Sequence, residues 1–297
     1  MTHDLGARIR AALDRDVHPA IIRHAARLGE QAHARAVLFY GSNLRTGSLE
    51  GVLDFYVLLP GGVEKGLWPR VSYHEWRDAG HDLRAKVATM NLATFARAAR
   101  GETLDTTIWS RFVQPGALIW HADERARKQV AEALRQAAMT AGRLAVTLGP
   151  EQASEDAYWR ALFRATYRAE FRVEPAGRES SILEAHKAHF DGLLPAALAA
   201  TGIPVERHGD LLRPSLAPEA KARLGRWWRV RRRLGKPLNL VRLVRAAGTF
   251  DGAARYAAWK VERHTGVAVE ITPWRERHPV LAAPGVLWQV WRARKNR

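Results

Sequence analysis

Two short apolar segments joined by a polar loop place the tightest constraint on the fold of this chain. Residues 36–40 read Ala-Val-Leu-Phe-Tyr and residues 52–59 read Val-Leu-Asp-Phe-Tyr-Val-Leu-Leu. Runs of four to eight β-branched and aromatic residues are typical of buried strands, whereas the Gly, Ser, Asn and Thr between them are typical of a loop. We therefore expect two neighbouring strands of one sheet.

The remaining elements follow a different pattern on either side of residue 122. Further strands are predicted at 86–90 and 117–120, with a helix at 92–99 between them. Beyond residue 123, Ala, Leu, Arg and Glu dominate, and the pattern predicts helices at about 124–146, 152–173, 179–199 and 217–234, with turns at 149–150, 202–204 and 235–237. We expect an α+β fold with a small mixed-sheet domain at 1–122, a helical domain at 123–220 and a basic helical C-terminal region at 221–297.

The composition excludes several classes of functional site and indicates where in the cell the protein is expected. The chain has no cysteine, which excludes disulfides, thiol catalysis and cysteine-ligated metals. Charges interrupt every apolar run before it reaches the roughly 18 residues of a spanning helix. Residues 1–29 are rich in Arg and Ala, contain three Asp and lack the apolar core of a signal peptide, so we expect an amphipathic helix of a cytoplasmic protein.

The positive charge is concentrated at one end of the chain. The formal net charge is +17, and residues 221–297 hold 19 Lys and Arg against four Asp and Glu, together with six of the eleven Trp. Cations neutralise phosphates, and indole rings favour the boundary between apolar and polar phases. This composition suits either nucleic acid or an anionic bilayer, and a basic, well-packed helical region without such a partner is the third interpretation.

The loop between the first two predicted strands carries the residues with the clearest chemistry. It contains Gly41-Ser42, and Asp54 follows within the second apolar strand. A Gly-Ser turn can present backbone N–H groups and a hydroxyl to triphosphate oxygens, while a carboxylate on the adjacent strand holds a divalent metal against the same phosphates. A carboxylate between Leu53 and Phe55 costs several kcal/mol to bury unless a metal or partner compensates it.

The spacing resembles the polymerase-β-like nucleotidyltransferases, in which a strand, a Gly-Ser turn and a strand Asp follow one another. Most members carry a second carboxylate two residues after the first, a position held here by Tyr56. The chain resembles the mitochondrial translocator-maintenance family of phosphatidate cytidylyltransferases, whose pattern is Tyr-Gly-Ser followed by an Asp-Phe-x-Phe strand without the second Asp. Here this pattern is Tyr40-Gly41-Ser42 and 54–57.

Later segments are similar to the same family in the same order. The family's Lys-containing strand is similar to the segment around Lys86, and its Gly-Arg-Leu-x-Lys-Pro segment to residues 110–115, where Gln114 replaces the Lys. Its Ser-Tyr-Met-Gly-Asp-x-Arg-Met run is similar to residues 166–173, with Ala169 and Glu170 in place of Gly and Asp. The resemblance covers about residues 36–190.

The resemblance implies a set of roles for individual residues. Asp54 is expected to bind Mg²⁺, Gly41 and Ser42 with Tyr40 to hold the triphosphate of CTP, and Lys86 and Arg111 to neutralise its oxygens. Tyr167, Glu170 and Arg172 are expected to complete the site, with Glu170 grouped with Asp54 and Lys86 as catalytic. Glu75, Asp78, Asp82 and Glu170 are the candidates for the missing carboxylate.

The C-terminal region then indicates the acceptor. Trp227, Trp228, Arg231, Arg232 and Arg233 alternate bulky apolar and cationic side chains, as in a helix lying in an anionic bilayer, where each cation contributes about 1 kcal/mol. We expect transfer of a cytidylyl group from CTP to phosphatidate or a similar phospholipid at the inner face of the membrane. The alternatives are a nucleotidyltransferase acting on RNA, protein or a small molecule, and a non-catalytic basic binding protein on the same scaffold.

Overall fold

The computed structural model describes residues 4–66, 68–170, 178–249, 252–277 and 279–295. Two helices precede the sheet, α1 at Leu5–Leu13 and α2 at Pro19–Gln31, so the expectation of one N-terminal helix is wrong. The Asp4 carboxylate caps α1 by accepting hydrogen bonds from the N–H groups of Gly6 and Ala7. Pro19 starts α2 at the first helical position, where its missing N–H is not needed.

A mixed sheet forms the centre of the N-terminal half, as the sequence predicted, but it has five strands rather than the four predicted. Its strands are β1 (Ala36–Tyr40), β2 (Leu53–Leu59), β3 (Arg70–Asp78), β4 (His81–Asn91) and β5 (Gly116–His121), in the spatial order β3-β4-β2-β1-β5. The β2–β4 pair is parallel and the others are antiparallel. The sequence did not predict β3, because its polar residues lie on an edge strand with little burial.

Each face of the sheet has its own apolar core. On one face, alternate residues such as Phe39, Phe55 and Val87 pack against α2. On the other, Tyr56 and Met90 pack against α4 (Leu92–Ala99), α5 (Thr107–Phe112) and α6 (Glu124–Leu148). The connection between β1 and β2, residues 41–52, contains a five-residue helix, α3 (Ser42–Thr46).

The helical part is more broken than the sequence suggested. In place of the predicted helix at 152–173 there is a two-residue strand β6 (Ala153–Ser154) followed by α7 (Glu155–Ala169), and residues 171–173 lie outside the described residues. The predicted helix at 179–199 is three helices. These are α8 (Arg178–Ala185), α9 (Lys187–Phe190) and α10 (Leu193–Ala199). Strand β6 joins β7 (Val205–His208) and β8 (Leu211–Pro214) in a small second sheet. One apolar cluster includes Leu5, Phe95, Phe163 and Trp228, so packing continues across residues 122 and 220.

The C-terminal region is helical, as expected, and begins with one long helix. Helix α11 spans Pro218–Thr249 and continues through Pro237, so the predicted turn at 235–237 is wrong. Gly235 instead allows α11 to lie against α7, since a Cβ there would lie 2.5 Å from the Ala169 carbonyl oxygen. Helices α12 (Ala253–Thr265), α13 (Pro273–Arg277) and α14 (Pro279–Lys295) follow. Within the described ranges, no helix is long and apolar enough to cross a bilayer.

Candidate functional site

Strand register brings the predicted site residues into one row across the sheet. Tyr40 on β1 lies opposite both Gly116 on β5 and Asp54 on β2, and Asp54 lies beside Lys86 on β4. Residues directly opposite one another on paired strands project from the same face of the sheet. The Asp54 carboxylate and the Lys86 ammonium therefore lie on the face that also carries Tyr56, beneath the helices.

Gly41 is the residue that leaves room for the Asp54 carboxylate. Its φ of 89° with a ψ of −164° is a backbone conformation that is open essentially to glycine alone. A Cβ at this position would lie 3.0 Å from Oδ2 of Asp54. The Tyr-Gly-Ser sequence thus turns the chain sharply at the end of β1 and places Ser42 at the mouth of the site.

A cavity of about 390 Å³ opens over this row of residues. Seven of the nine predicted catalytic and nucleotide-binding residues line it, namely Tyr40, Gly41, Ser42, Asp54, Lys86, Arg111 and Tyr167. They come from β1, β2, β4 and helices α3, α5 and α7, and α8 closes the remaining side. The cavity combines one carboxylate with several cations, which suits a polyanionic ligand.

Asp54 is the acidic group of this cavity. Burial raises the pKa of its carboxyl, while the positive charges of Lys86 and Arg111 act in the opposite direction. The net pKa lies above the ordinary value of an Asp. A bound cation would favour the ionised carboxylate, and so would compensate the burial.

Arg111 reaches the cavity from α5 and is held over Tyr40. Its Nη1 donates a hydrogen bond to the Tyr40 hydroxyl at 3.1 Å, and its guanidinium carbon lies 5.1 Å from the centre of the Tyr40 ring. Burial opposes the charge on Arg111, but Tyr40, Tyr56, Asp54 and Glu170 outweigh this effect and raise its pKa. Arg111 is thus a permanent cation in a fixed position, as a phosphate-binding group requires.

Glu170 lies outside the cavity wall and braces α5. Its buried carboxylate accepts hydrogen bonds from the hydroxyls of Thr106 at 2.8 Å and Ser110 at 3.0 Å. Because Arg111 follows Ser110 directly, we interpret Glu170 as a positioning residue rather than as the catalytic group predicted from the sequence. Arg172 lies outside the described residues.

The other candidate carboxylates have structural partners away from Asp54. Glu75 lies 3.5 Å from Arg84, Asp78 lies 2.6 Å from Arg23, and Asp82 lies 3.8 Å from Arg77. Among the described residues, no group of three His, Asp or Glu side chains is arranged to hold a metal ion. A divalent cation at this site would therefore depend on Asp54 together with oxygens of the substrate and water.

Several lining residues did not figure among the predicted site residues. Arg45 of α3 adds a further cation, and it lies three residues after Ser42 in the segment that the sequence predicted to be a polar loop. Ser181 of α8 and His186, which lies between α8 and α9, are far from the sheet residues of the site in sequence. Burial, with Arg15 and Arg45 nearby, lowers the pKa of His186 to about 4, so its imidazole is neutral at pH 7.

Three of the five residues predicted to contact a membrane pack against the protein instead: Trp228 and Arg231 are buried, and Trp227 is partly buried. Trp228 is only 3% exposed, and the indole N–H of Trp227 donates to the Gly101 carbonyl at 3.1 Å. Arg231 donates to the carbonyls of Gly101 at 2.8 Å and Thr103 at 2.7 Å, and stacks on the Trp227 ring at 3.8 Å. The prediction fails for these three because their side chains anchor α11 to the loop before α5, whereas Arg232 and Arg233 are exposed.

Comparison of the sequence with models of known protein families and with curated proteins finds no match. The geometry of the cavity is therefore the basis for assigning a function.

Proposed function

We propose that the protein is a Mg²⁺-dependent nucleotidyltransferase that transfers a cytidylyl group from CTP to phosphatidate or a similar anionic phospholipid. The observation that carries this proposal is the convergence of Asp54 with Gly41-Ser42, Lys86 and Arg111 on one cavity. A single carboxylate among fixed cations suits a metal–triphosphate complex better than it suits a neutral substrate.

The reaction follows from the charges that the cavity presents. An oxygen of the acceptor phosphate attacks the α-phosphorus of CTP, a P–O bond forms, and the bond from the α-phosphorus to the bridging oxygen breaks. Pyrophosphate leaves with that electron pair, giving a CDP-lipid. Lys86 and Arg111 neutralise phosphate oxygens, and the backbone of the Gly41 turn holds the triphosphate in line, so catalysis rests on positioning and charge neutralisation.

The residues present fit Mg²⁺. This ion binds through one or two carboxylates plus substrate phosphates and retains several waters, so Asp54 alone is a sufficient protein ligand. Bound there, Mg²⁺ supplies charge neutralisation at the phosphate oxygens. Lys86 and Arg111 offset the effect of burial on the pKa of Asp54 only in part, so a bound cation would further favour the ionised carboxylate.

The choice of CTP and a lipid rests on the family resemblance and on the C-terminal surface. Helix α14 exposes Leu281, Trp288 and Trp291, spaced so that they lie on one side of the helix. Trp274 of α13 is also exposed, and Arg275, Arg277 and Arg292 accompany these apolar residues. Exposed Trp and Leu beside Arg suit the interface of an anionic bilayer.

Incubation of the purified protein with each labelled nucleoside triphosphate, Mg²⁺ and phosphatidate vesicles tests the proposal. We expect a lipid-linked nucleotide and pyrophosphate with CTP, and no product with Asp54→Asn. Asp156→Asn, on the exposed first turn of α7, is the matched control and is expected to retain activity.

Different results would overturn different parts of the proposal. Transfer to RNA or protein but not to lipid would replace the acceptor while keeping the chemistry. Failure of Mg²⁺–CTP and of every other Mg²⁺–nucleoside triphosphate to bind, measured by calorimetry, would remove the nucleotidyltransferase assignment altogether.

A further inference from the structure

A second pocket lies at the N-terminal ends of β2 and β4, next to the proposed catalytic row. It measures about 340 Å³ and is bounded by residues 49–51, residues 81–84, Trp259 and Arg263. Trp259 and Arg263 are four residues apart on α12 and so share one face of that helix. The proposed transfer chemistry assigns no role to this pocket.

Two arginines converge on the Trp259 indole. The guanidinium carbons of Arg84 and Arg263 lie 5.7 Å and 5.2 Å from the ring centre. Among the described residues, no carboxylate oxygen lies within 4.0 Å of the Arg263 guanidinium nitrogens, whereas Arg84 lies 3.5 Å from Glu75. Two guanidinium groups held near one ring repel each other, and a bound anion would relieve that repulsion.

The walls of this pocket are fixed by close backbone packing. Gly252 starts α12 against β3, since a Cβ there would lie 2.9 Å from the Tyr73 carbonyl oxygen. The rings of Tyr256 and Tyr73 then pack with their centres 5.4 Å apart. On the opposite wall, a Cβ at Gly51 would lie 3.2 Å from Nη1 of Arg263, so the absence of a side chain at Gly51 leaves room for that guanidinium.

The position of the pocket relates it to the transfer site. Arg84 precedes Lys86 by two residues on β4, so both project from the same face about 7 Å apart along the strand. Gly51 precedes Asp54 by three residues, and Tyr73 lies opposite Lys86 on β3. Gly41 and Ser42 lie on the β1 side of Asp54, so Arg84 and α12 flank the other side.

We propose that the pocket formed by Arg84, Trp259 and Arg263 binds the phosphate monoester of the acceptor. This inference rests on the proposed function, because it assigns the Gly41-Ser42 side of Asp54 to the nucleotide and the α12 side to the acceptor. Arg263 and Arg84 contact the phosphate oxygens, and the Trp259 indole supports the apolar part of the head group. Glu50 and Asp82 line the same pocket with exposed side chains, and their charges disfavour larger anions that would extend past the arginines.

Calorimetry of the full chain with inorganic phosphate and with sn-glycerol 3-phosphate measures this site without any transfer reaction. We expect both to bind the wild type, and Arg263→Gln to weaken binding about tenfold or more, as for loss of one charge-assisted hydrogen bond. Trp259→Leu is expected to weaken glycerol 3-phosphate more than inorganic phosphate. Arg255→Gln is the control, because Arg255 lies on the same helix but pairs with Glu276.

Transfer assays then identify the source of the phosphate. Arg263→Gln is expected to raise the KM for the acceptor about tenfold while leaving the Kd of Mg²⁺–CTP unchanged. A larger effect with phosphatidate vesicles than with glycerol 3-phosphate identifies a lipid acceptor, and the reverse identifies a soluble one. The inference is overturned if neither anion binds the wild type at millimolar concentration, or if Arg263→Gln and Arg255→Gln bind phosphate equally.

The two proposals fail separately. Loss of phosphate binding in Arg263→Gln, together with failure of the wild type to bind any Mg²⁺–nucleotide, would remove the transferase assignment and the acceptor role while leaving an anion site. Normal nucleotide transfer with an unchanged acceptor KM in Arg263→Gln would remove only the acceptor site.

Discussion

Asp54 occupies a position where burial disfavours its ionised form. Its carboxylate lies in a β-strand between Leu53 and Phe55, two of the most deeply buried side chains. Burial raises its pKa, so the folded chain keeps the proton at pH values where the unfolded chain has already released it. The free energy of unfolding contributed by this group therefore falls as pH rises from the ordinary Asp pKa through the raised one.

Replacement of Asp54 by Asn is expected to separate stability from activity. At pH 7 without metal or nucleotide, Asp54→Asn is expected to raise Tm by a few degrees. The Asn side chain has nearly the same shape as Asp but carries no charge, so the cost of a partly buried charge is removed. Transfer activity is expected to fall by at least about 100-fold. Thermal unfolding at pH 7 and near pH 3 checks this, since the gain in Tm is expected to vanish where Asp54 is protonated in both states. A lower Tm at pH 7 would contradict it.

His24 is a second residue whose burial makes stability depend on pH. Its ring stacks on Trp76 with centres 3.6 Å apart, and burial, with His74 and Arg27 nearby, lowers its pKa to about 4. Between pH 4 and pH 6.5 the unfolded chain binds a proton that the folded chain does not, so stability rises with pH in this interval.

His24→Phe is expected to remove that dependence while keeping the stacked ring. The free energy of unfolding of the variant minus that of the wild type is expected to be about 1–2 kcal/mol larger at pH 5 than at pH 7.5. Urea unfolding at the two pH values measures the difference. His121→Gln, at an exposed position, is the control and is expected to change little between them. An equal effect of His24→Phe at both pH values would contradict the assignment.

The site residues that the sequence predicts most directly are those whose type is unusual for the local pattern around them. Gly41, Ser42 and Asp54 were predicted because a glycine turn and a carboxylate in an apolar strand are both locally unusual, and they do line one cavity. Glu170 was assigned a catalytic role, but its hydrogen bonds to Thr106 and Ser110 depend on the packing of α7 against α5. No sequence spacing encodes that contact.

At the scale of elements, α11 braces two walls of the candidate site. Arg231 and Trp227 bind the carbonyls of the loop that leads into α5, and Gly235 packs on the end of α7. Arg242 forms a close ion pair with Asp105, whose carboxylate also accepts hydrogen bonds from the N–H and hydroxyl of Thr107 in α5. The basic helix therefore uses part of its charge internally.

Adjacent arginines on α11 are expected to behave in opposite ways. Arg231→Met is expected to lower the free energy of unfolding by about 2–3 kcal/mol, because it removes the donor to the Thr103 carbonyl and one of the two donors to the Gly101 carbonyl. Arg232→Met is expected to change it by less than about 0.5 kcal/mol, since this side chain is exposed. Denaturant unfolding of the two variants measures the contrast, and equal values would contradict the anchoring role of Arg231.

The elements that sequence analysis missed share a physical cause. Strand β3 lacks a clear apolar alternation because it lies at the edge of the sheet and packs partly against α12. The Gly235-Lys236-Pro237 segment carries a strong turn signal, yet close packing of Gly235 on Ala169 keeps it within a helix. In both cases tertiary contacts override local preference.

At the scale of the whole molecule, charge and exposed apolar surface coincide at the C-terminal helices. Residues 221–297 account for most of the excess positive charge, but Trp228 is buried and Trp227 partly buried, which removes part of the expected membrane contact. Trp288 and Trp291 on α14 are 58% and 59% exposed, beside Arg292. The surface proposed to meet a bilayer thus lies farther along the chain than the sequence analysis placed it.

Substitution of these two tryptophans is expected to detach the protein from vesicles without affecting its fold. Trp288→Ala with Trp291→Ala is expected to weaken binding to vesicles of phosphatidylcholine and phosphatidate by at least about tenfold, because each indole loses its interfacial contact. Trp228→Phe, in the core, is expected to lower Tm while leaving vesicle affinity unchanged, which makes it the opposite control.

Binding is also expected to weaken with salt, since the arginines act through screened charge. Co-sedimentation at 0.05 and 0.5 M salt measures both effects, because the Debye length is longer than about 10 Å at the first concentration and shorter at the second. Vesicle affinity unchanged by the Trp288 and Trp291 substitutions would reject α14 as the membrane contact, and with it the structural argument for a lipid acceptor.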